Sequence, residues 1–132
     1  MFCSCSLYAQ KSKSMKPFEL SSADFKQQIW NYETEPAKFV FQGKKHAIIH
    51  FYSTNGHCRA ITPILEEIQK EYKNRIDIYI IDSDKETELV QLFNIQNFPT
   101  LLFIPQKEDP QSYVGFKTKG EIVRLIETTF GK

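Results

Sequence analysis

The residues that decide the fold form one continuous stretch, AIIHFYSTNGHCRAITPIL, at positions 47–65. Its first six residues, 47–52, are mostly aliphatic or aromatic and do not alternate with polar residues, which is typical of a strand covered on both faces. A short polar loop follows. Apolar side chains then recur every three or four residues over Ile61–Tyr72, which predicts an amphipathic helix with Pro63 inside it. The stretch therefore predicts a central strand, a short loop and a helix.

The residues before the central strand predict one helix and a long connection. Ser21 lies three residues before Asp24, and apolar residues follow at helical spacing, which indicates a capped first helix. We expect Pro36 to end this helix. Phe39 and Phe41 are expected to anchor the irregular connection that leads to the central strand.

The remaining elements are apolar runs bounded by turn or capping residues. They are a strand at 76–81, a helix capped by Ser83 and Glu86, an antiparallel hairpin of strands 100–104 and 112–114, and a last helix at 119–130 capped by Thr118 and Glu121. From the central strand onwards the order is β-α-β-α-β-β-α. This order predicts an α/β protein in which one mixed central sheet is flanked by helices on both faces, a three-layer α/β/α architecture.

The charge balance and hydropathy exclude several classes of protein. The chain has 132 residues, and 17 Lys and Arg against 16 Asp and Glu give a formal net charge of +1, so we expect no nucleic-acid partner. No apolar run approaches the roughly 20 residues that a membrane-spanning helix needs. With 41% hydrophobic residues, the chain can bury one substantial core. We expect one monomeric domain at residues 18–132.

Residues 1–17 are interpreted separately, as an N-terminal segment. The first ten residues are small and apolar and end in Leu7-Tyr8-Ala9-Gln10, as an export signal ends before its cleavage site. The lysines, however, follow this stretch, whereas a signal carries its positive charge first. The segment is either the remnant of a signal, which predicts an exported or periplasmic protein, or a disordered terminus of a cytoplasmic one.

Cysteine usage draws attention to a single thiol. Cys3, Cys5 and Cys58 are too few and too unevenly spaced for a disulfide framework or a four-ligand zinc site. Cys58 stands at the start of a predicted helix, where the helix dipole and unpaired backbone N–H groups stabilise a thiolate. The alternative is a small buried side chain on the inner face of the first turn, the usual fate of an isolated cysteine.

Residues 47–65, together with residues 97–103, resemble the thioredoxin family, in particular bacterial thioredoxins with an extra helix and loop before the active-site strand. Cys58 is followed by a basic residue and, five positions later, by Pro63, as is the second cysteine of that family. Phe98 and Pro99 resemble the loop that faces the active site, whose proline is cis and presents a backbone edge to extended substrates. The resemblance implies a thioredoxin-like fold, thiol–disulfide exchange with protein or peptide partners, and no cofactor.

The active-site motif itself departs from the family pattern. Cys58 aligns with the second, resolving cysteine, whereas Asn55 stands where the attacking cysteine is expected, so the degenerate site reads Asn55-Gly56-His57-Cys58. Without a paired thiol, the usual cycle of attack and internal resolution cannot run at this site. Two functions follow: exchange through Cys58 alone, or a redox-inactive module that binds extended peptides through Asn55, Gly56, Phe98 and Pro99. A third alternative is an inert remnant with a structural role, which predicts no partner and no reactivity.

Two histidines are candidate catalytic residues beside Cys58. His57 precedes the cysteine, where an imidazolium would lower the thiol pKa; the alternative is a solvated loop residue. His50 falls where many thioredoxins carry a buried acidic residue that relays protons, and it is either such a relay or a satisfied core histidine. The spacing of His50, His57 and Cys58 does not favour zinc, so we expect no metal site.

Overall fold

The computed structural model of the protein describes residues 17–53 and 58–131. In chain order its elements are β1 (Phe18–Glu19), α1 (Ser22–Gln28), β2 (His46–Tyr52), α2 (Cys58–Tyr72), β3 (Ile76–Asp82), α3 (Thr87–Leu92), β4 (Thr100–Ile104), β5 (Gln111–Val114) and α4 (Lys119–Phe130). Strands β2 to β5 lie within one residue of their predicted bounds. Strand β1 was not predicted, because two residues carry no periodicity.

All five strands belong to one sheet, in the order β1-β3-β2-β4-β5. Strand β3 runs parallel to both β1 and β2, whereas β4 is antiparallel to β2 and to β5. The sheet is therefore mixed, as predicted. Strand β2 lies at its centre, and its residues 47–51 are all buried.

Two apolar clusters cover the two faces of this sheet. One joins Phe25 of α1 and Leu89 of α3 to the sheet, and the other joins Leu65 of α2 and Ile126 of α4 to the opposite face. Strand β2 contributes to both clusters, since successive side chains of a strand point to opposite faces. Each large side chain buried in this way stabilises the fold by roughly 1.5–3 kcal/mol. The predicted three-layer α/β/α architecture is confirmed.

The first helix is shorter than predicted. Its N-terminal capping box is present, but α1 ends at Gln28, well before Pro36. The backbone N–H of Gln42 donates to the carbonyl oxygen of Ile29 at 2.8 Å, and the Gln42 side-chain amide donates to that of Lys26 at 3.0 Å. The returning connection thus satisfies carbonyl groups at the end of α1. The prediction that Pro36 ends the helix was wrong.

The predicted capping box of the third helix was also wrong. Helix α3 begins at Thr87, and Glu86 is its N-cap without a side-chain capping bond. The Glu86 carboxylate instead accepts hydrogen bonds from the backbone N–H of Ser22 at 3.1 Å and from its hydroxyl at 2.9 Å. The Ser83 hydroxyl is buried and has no hydrogen-bond partner within residues 17–53 and 58–131. Glu86 therefore binds the start of α1, and Ser83 caps no helix within residues 17–53 and 58–131.

The capping box of α4 is confirmed and gives a stability prediction. The Thr118 hydroxyl accepts from the Glu121 N–H at 3.2 Å, and the Glu121 carboxylate accepts from the Thr118 N–H at 2.9 Å. Thr118→Ala should lower the free energy of unfolding by about 1 kcal/mol, because it leaves a helix N–H without its acceptor. Urea denaturation measures the change. Thr128→Ala, at an exposed position in the last turn of the same helix, is the control; equal losses in both variants would contradict a capping role.

Candidate functional site

The start of α2 provides the electrostatic setting of the site. This helix runs for 15 residues from Cys58, and its first turn contains no acidic residue. The end of such a helix carries roughly half a positive charge, and no carboxylate of the first turn neutralises it. Asn55, Gly56 and His57, and the side chain of Cys58, lie outside the described part of the chain. The backbone alone places Cys58 at the helix end that favours a thiolate.

His50 lies on the central strand, two residues before β2 ends. It is opposite Ile80 of β3 on one side and Leu101 of β4 on the other. It lies two positions after Ile48, so both side chains are on the same face of the sheet. Ile48 belongs to the cluster that α2 and α4 cover. His50 is therefore on the face covered by the helix that begins at Cys58.

The His50 imidazole is fully buried, with an exposed fraction of 0%. The ring of Tyr52 lies 5.8 Å away, centroid to centroid, and neither ring nitrogen of His50 has a hydrogen-bond partner within the described residues. Burial lowers the pKa of His50 from 6.5 to about 4. The ring is therefore neutral at neutral pH and offers one N–H donor and one acceptor nitrogen.

This lowered pKa makes the stability of the protein depend on pH. Below pH 6.5 the unfolded chain binds a proton at His50 that the folded chain does not bind until about pH 4. The free energy of unfolding should therefore fall as pH drops through this window. Between pH 7 and pH 4.5, the parent should lose about 2 kcal/mol more than His50→Phe, which keeps a buried ring without a titrating group.

Urea denaturation at a series of pH values measures this difference. Other titrating groups, including His46 with its own lowered pKa, are common to both proteins and cancel in the comparison. Parallel pH profiles for the parent and His50→Phe would show that His50 is not buried in the neutral form.

The loop before β4 has the geometry that the resemblance implied. The Phe98–Pro99 peptide bond is cis. The Thr100 hydroxyl donates a hydrogen bond to the Asn97 carbonyl oxygen and closes the loop. Phe98 is 37% exposed and is one of the large hydrophobic residues that the described part of the chain leaves exposed. The loop thus exposes an apolar side chain beside a cis peptide bond.

The sequence did not single out Gly115, which supports this loop. The Gly115 N–H donates a hydrogen bond to the Pro99 carbonyl oxygen at 2.8 Å, directly after strand β5 ends. Its φ angle of 96° lies in the region that favours glycine. The available signal was a glycine between a predicted strand and a predicted helix cap. The bond to Pro99 depends on the register of β4 with β5 and could not be inferred from that signal.

The carboxylates near the start of α3 have structural partners. The Asp82 carboxylate accepts a hydrogen bond from the Asp84 N–H at 3.0 Å, and the Glu88 carboxylate accepts one from the Tyr32 hydroxyl at 2.6 Å. Within the described residues, no group of three His, Cys, Asp or Glu side chains is placed to hold a metal ion. No helix in the same part of the chain is long and apolar enough to cross a membrane.

Comparison with known proteins agrees with this geometry. The thioredoxin family model matches residues 18–128. The chain belongs to the thioredoxin family. A thioredoxin of Borreliella burgdorferi is 35% identical over 113 residues, which cover 85% of this chain and 96% of that protein. Membership of the thioredoxin family places the chain in the thiol–disulfide oxidoreductase family.

Plant relatives of this thioredoxin-family chain are longer proteins. A chloroplastic M-type thioredoxin of Spinacia oleracea is 29% identical over 91 residues, 68% of this chain and 50% of that protein. A probable protein disulfide-isomerase A6 of Medicago sativa is 30% identical over 96 residues, 70% of this chain and 26% of that protein. The chain thus spans half of the first protein and about a quarter of the second.

Proposed function

We propose that this protein exchanges thiols and disulfides with protein substrates through Cys58, its single active-site thiol. The observation that carries the proposal is the position of Cys58 as the first residue of a 15-residue helix with no acidic residue in its first turn. A thiolate there is stabilised by the helix end, and a thiolate is the form that attacks disulfides. Family membership supplies the reaction class.

The proposed reaction runs in three exchanges. The Cys58 thiolate attacks one sulfur of a substrate disulfide, forms a mixed disulfide, and displaces the other substrate sulfur as a thiolate that takes up a proton. Because Asn55 cannot act as a second thiol, an external low-molecular-weight thiol resolves the mixed disulfide. A second external thiol completes the exchange. Two external thiols are oxidised to one disulfide for each substrate disulfide that is reduced.

His50 is proposed as a positioning residue for the thiol. It is buried on the face of the sheet that α2 covers, and the described residues leave both its ring nitrogens without a partner. Its N–H would donate to the Cys58 thiolate, and a hydrogen bond to the charged form of a group lowers its pKa. This interaction would compensate for the buried position that a resolving cysteine has in the family.

The cis loop supports the binding of the substrate. Phe98 is exposed beside Pro99, whose carbonyl oxygen is held by Gly115. An extended peptide would pair with the backbone edge of this loop, and an apolar side chain of the peptide would contact Phe98. The undescribed residues Asn55 and Gly56 would complete the same surface.

A trapping experiment tests the proposal. In a full-length Cys3→Ser/Cys5→Ser background, incubation with an excess of a cystine-containing peptide should give a covalent adduct of one peptide chain at Cys58. Mass spectrometry measures the adduct, which reduced glutathione should release. Cys58→Ser in the same background should form none, because a hydroxyl does not exchange with disulfides at neutral pH.

The alternative function, a redox-inactive module that binds extended peptides, is favoured by the loss of the attacking cysteine while the cis Phe98–Pro99 peptide bond is kept. The same experiment separates the two. Peptide binding of equal affinity in the parent background and in Cys58→Ser, measured by calorimetry, with no adduct in either protein, would contradict the exchange proposal and establish the binding module.

The role of His50 gives a separate prediction. His50→Phe should raise the pKa of the Cys58 thiol by about one unit, because it removes a hydrogen bond to the thiolate. The pH dependence of iodoacetamide alkylation measures this pKa. His46→Phe, at the opposite end of the same strand, should leave it unchanged. Equal thiol pKa values in the parent and both variants would remove His50 from the mechanism.

A further inference from the structure

An open cavity of about 430 Å³ lies on the face of the sheet that α1 and α3 cover. Leu102 of β4 belongs to the apolar cluster on this face, and Ser112 of β5 is opposite Leu102 in the antiparallel pair. Opposite residues of such a pair point to the same face, so Leu102 and Ser112 lie side by side along the cavity. Helix α3 ends at Leu92, which lines the cavity as well. The cavity therefore lies where the helical layer ends.

Aromatic rings form much of the apolar lining of this cavity. The ring centroids of Trp30 and Phe39 are 5.1 Å apart with an interplanar angle of 64°, and those of Trp30 and Phe93 are 6.3 Å apart at 62°. These edge-to-face contacts fix the rings relative to one another. The Trp30 indole N–H already donates to the Glu35 carbonyl oxygen at 3.1 Å, so the indole offers the cavity its apolar surface. The faces of such rings carry negative partial charge and attract cations.

Asp109 gives the cavity its charge. Among the described residues that line the cavity, Asp109 is the only charged one. Its side chain is exposed and has neither an ion pair nor a hydrogen bond to another described residue. The cavity thus combines negative ring faces with a carboxylate, and both favour a cation. An anionic ligand would be repelled by both, and a neutral ligand would leave the carboxylate without a charged partner.

We propose that this cavity binds a small organic ammonium ion that carries an apolar group, as an arylalkylamine does. The ammonium group pairs with the Asp109 carboxylate, and the apolar group contacts the rings of Trp30, Phe39 and Phe93. A volume of about 430 Å³ is within the range of small-molecule sites. His50 lies on the opposite face of the sheet, which α2 covers. The binding site is therefore separate from the thiol and does not depend on the proposed exchange function.

Tryptophan fluorescence of the full-length protein under reducing conditions tests the proposal, because Trp30 is the only tryptophan of the chain. The probe is phenethylammonium; phenethyl alcohol and phenylacetate are neutral and anionic ligands of similar size, and the ionic strength is kept constant. Phenethylammonium should change the fluorescence with a Kd of about 1 mM, as expected for so small a ligand in an open site. Phenethyl alcohol should bind about tenfold more weakly, because it lacks the ion pair and the cation–π contact, and phenylacetate should not bind.

Two carboxylates that are adjacent in sequence provide matched variants. Asp109→Asn should weaken phenethylammonium binding by about fivefold, because it removes the charge that pairs with the ammonium group and keeps the size of the side chain. Glu108→Gln removes a charge from a residue that does not line the cavity, and should change the Kd by less than about twofold. Ser112→Phe should abolish binding, because the larger side chain fills the cavity. Circular dichroism checks that each variant is folded.

Any of four results would overturn the proposal. They are no saturable change in Trp30 fluorescence with phenethylammonium, equal affinities for phenethylammonium and phenethyl alcohol, equal effects of Asp109→Asn and Glu108→Gln, and a response that persists in Ser112→Phe. Cys58 and His50 are unchanged in every variant. Adduct formation at Cys58 therefore reports on the exchange function independently of this cavity.

Discussion

The burial of β2 is the constraint on which the rest of the structure depends. This strand is hydrogen-bonded on both edges, to β3 and β4, and covered on both faces by helices. Its direction fixes where the chain leaves the sheet and therefore where α2 begins. It also places His50 inside the protein, on the face that α2 covers. The position of Cys58 at the start of α2 thus follows from the packing of β2, although Cys58 lies outside that strand.

The parts of the fold that could be predicted are those determined by local sequence. Strand β2 was recognised because burial on both faces removes the alternation of polar and apolar residues. The pair Thr118 and Glu121 was recognised because its three-residue spacing is sufficient for a capping box when nothing competes. The pair Ser83 and Glu86 has the same spacing, but Glu86 is bound by Ser22, which is distant in sequence. A local sequence pattern does not show that a distant residue competes for the same carboxylate.

The candidate site also combines features that the sequence could predict with features that depend on residues distant in sequence. The resemblance predicted the cis bond before Pro99, and the structure has it. The burial of His50 was foreseen, but its unpaired nitrogens within the described residues and its lowered pKa were not, because they depend on what surrounds the ring. The support that Gly115 gives to Pro99 depends on the register of two strands. Family membership does not determine what a site with a single active-site thiol can do. That depends on the pKa of Cys58.

The most direct test of the account is the pKa of the Cys58 thiol. It is obtained from the pH dependence of thiolate absorbance in full-length Cys3→Ser/Cys5→Ser protein. The account predicts a pKa well below the value of about 8.5 for a free thiol, because the helix end and His50 favour the thiolate. A pKa at or above that value would mean that the helix end does not activate this cysteine. Exchange through Cys58 would then be contradicted.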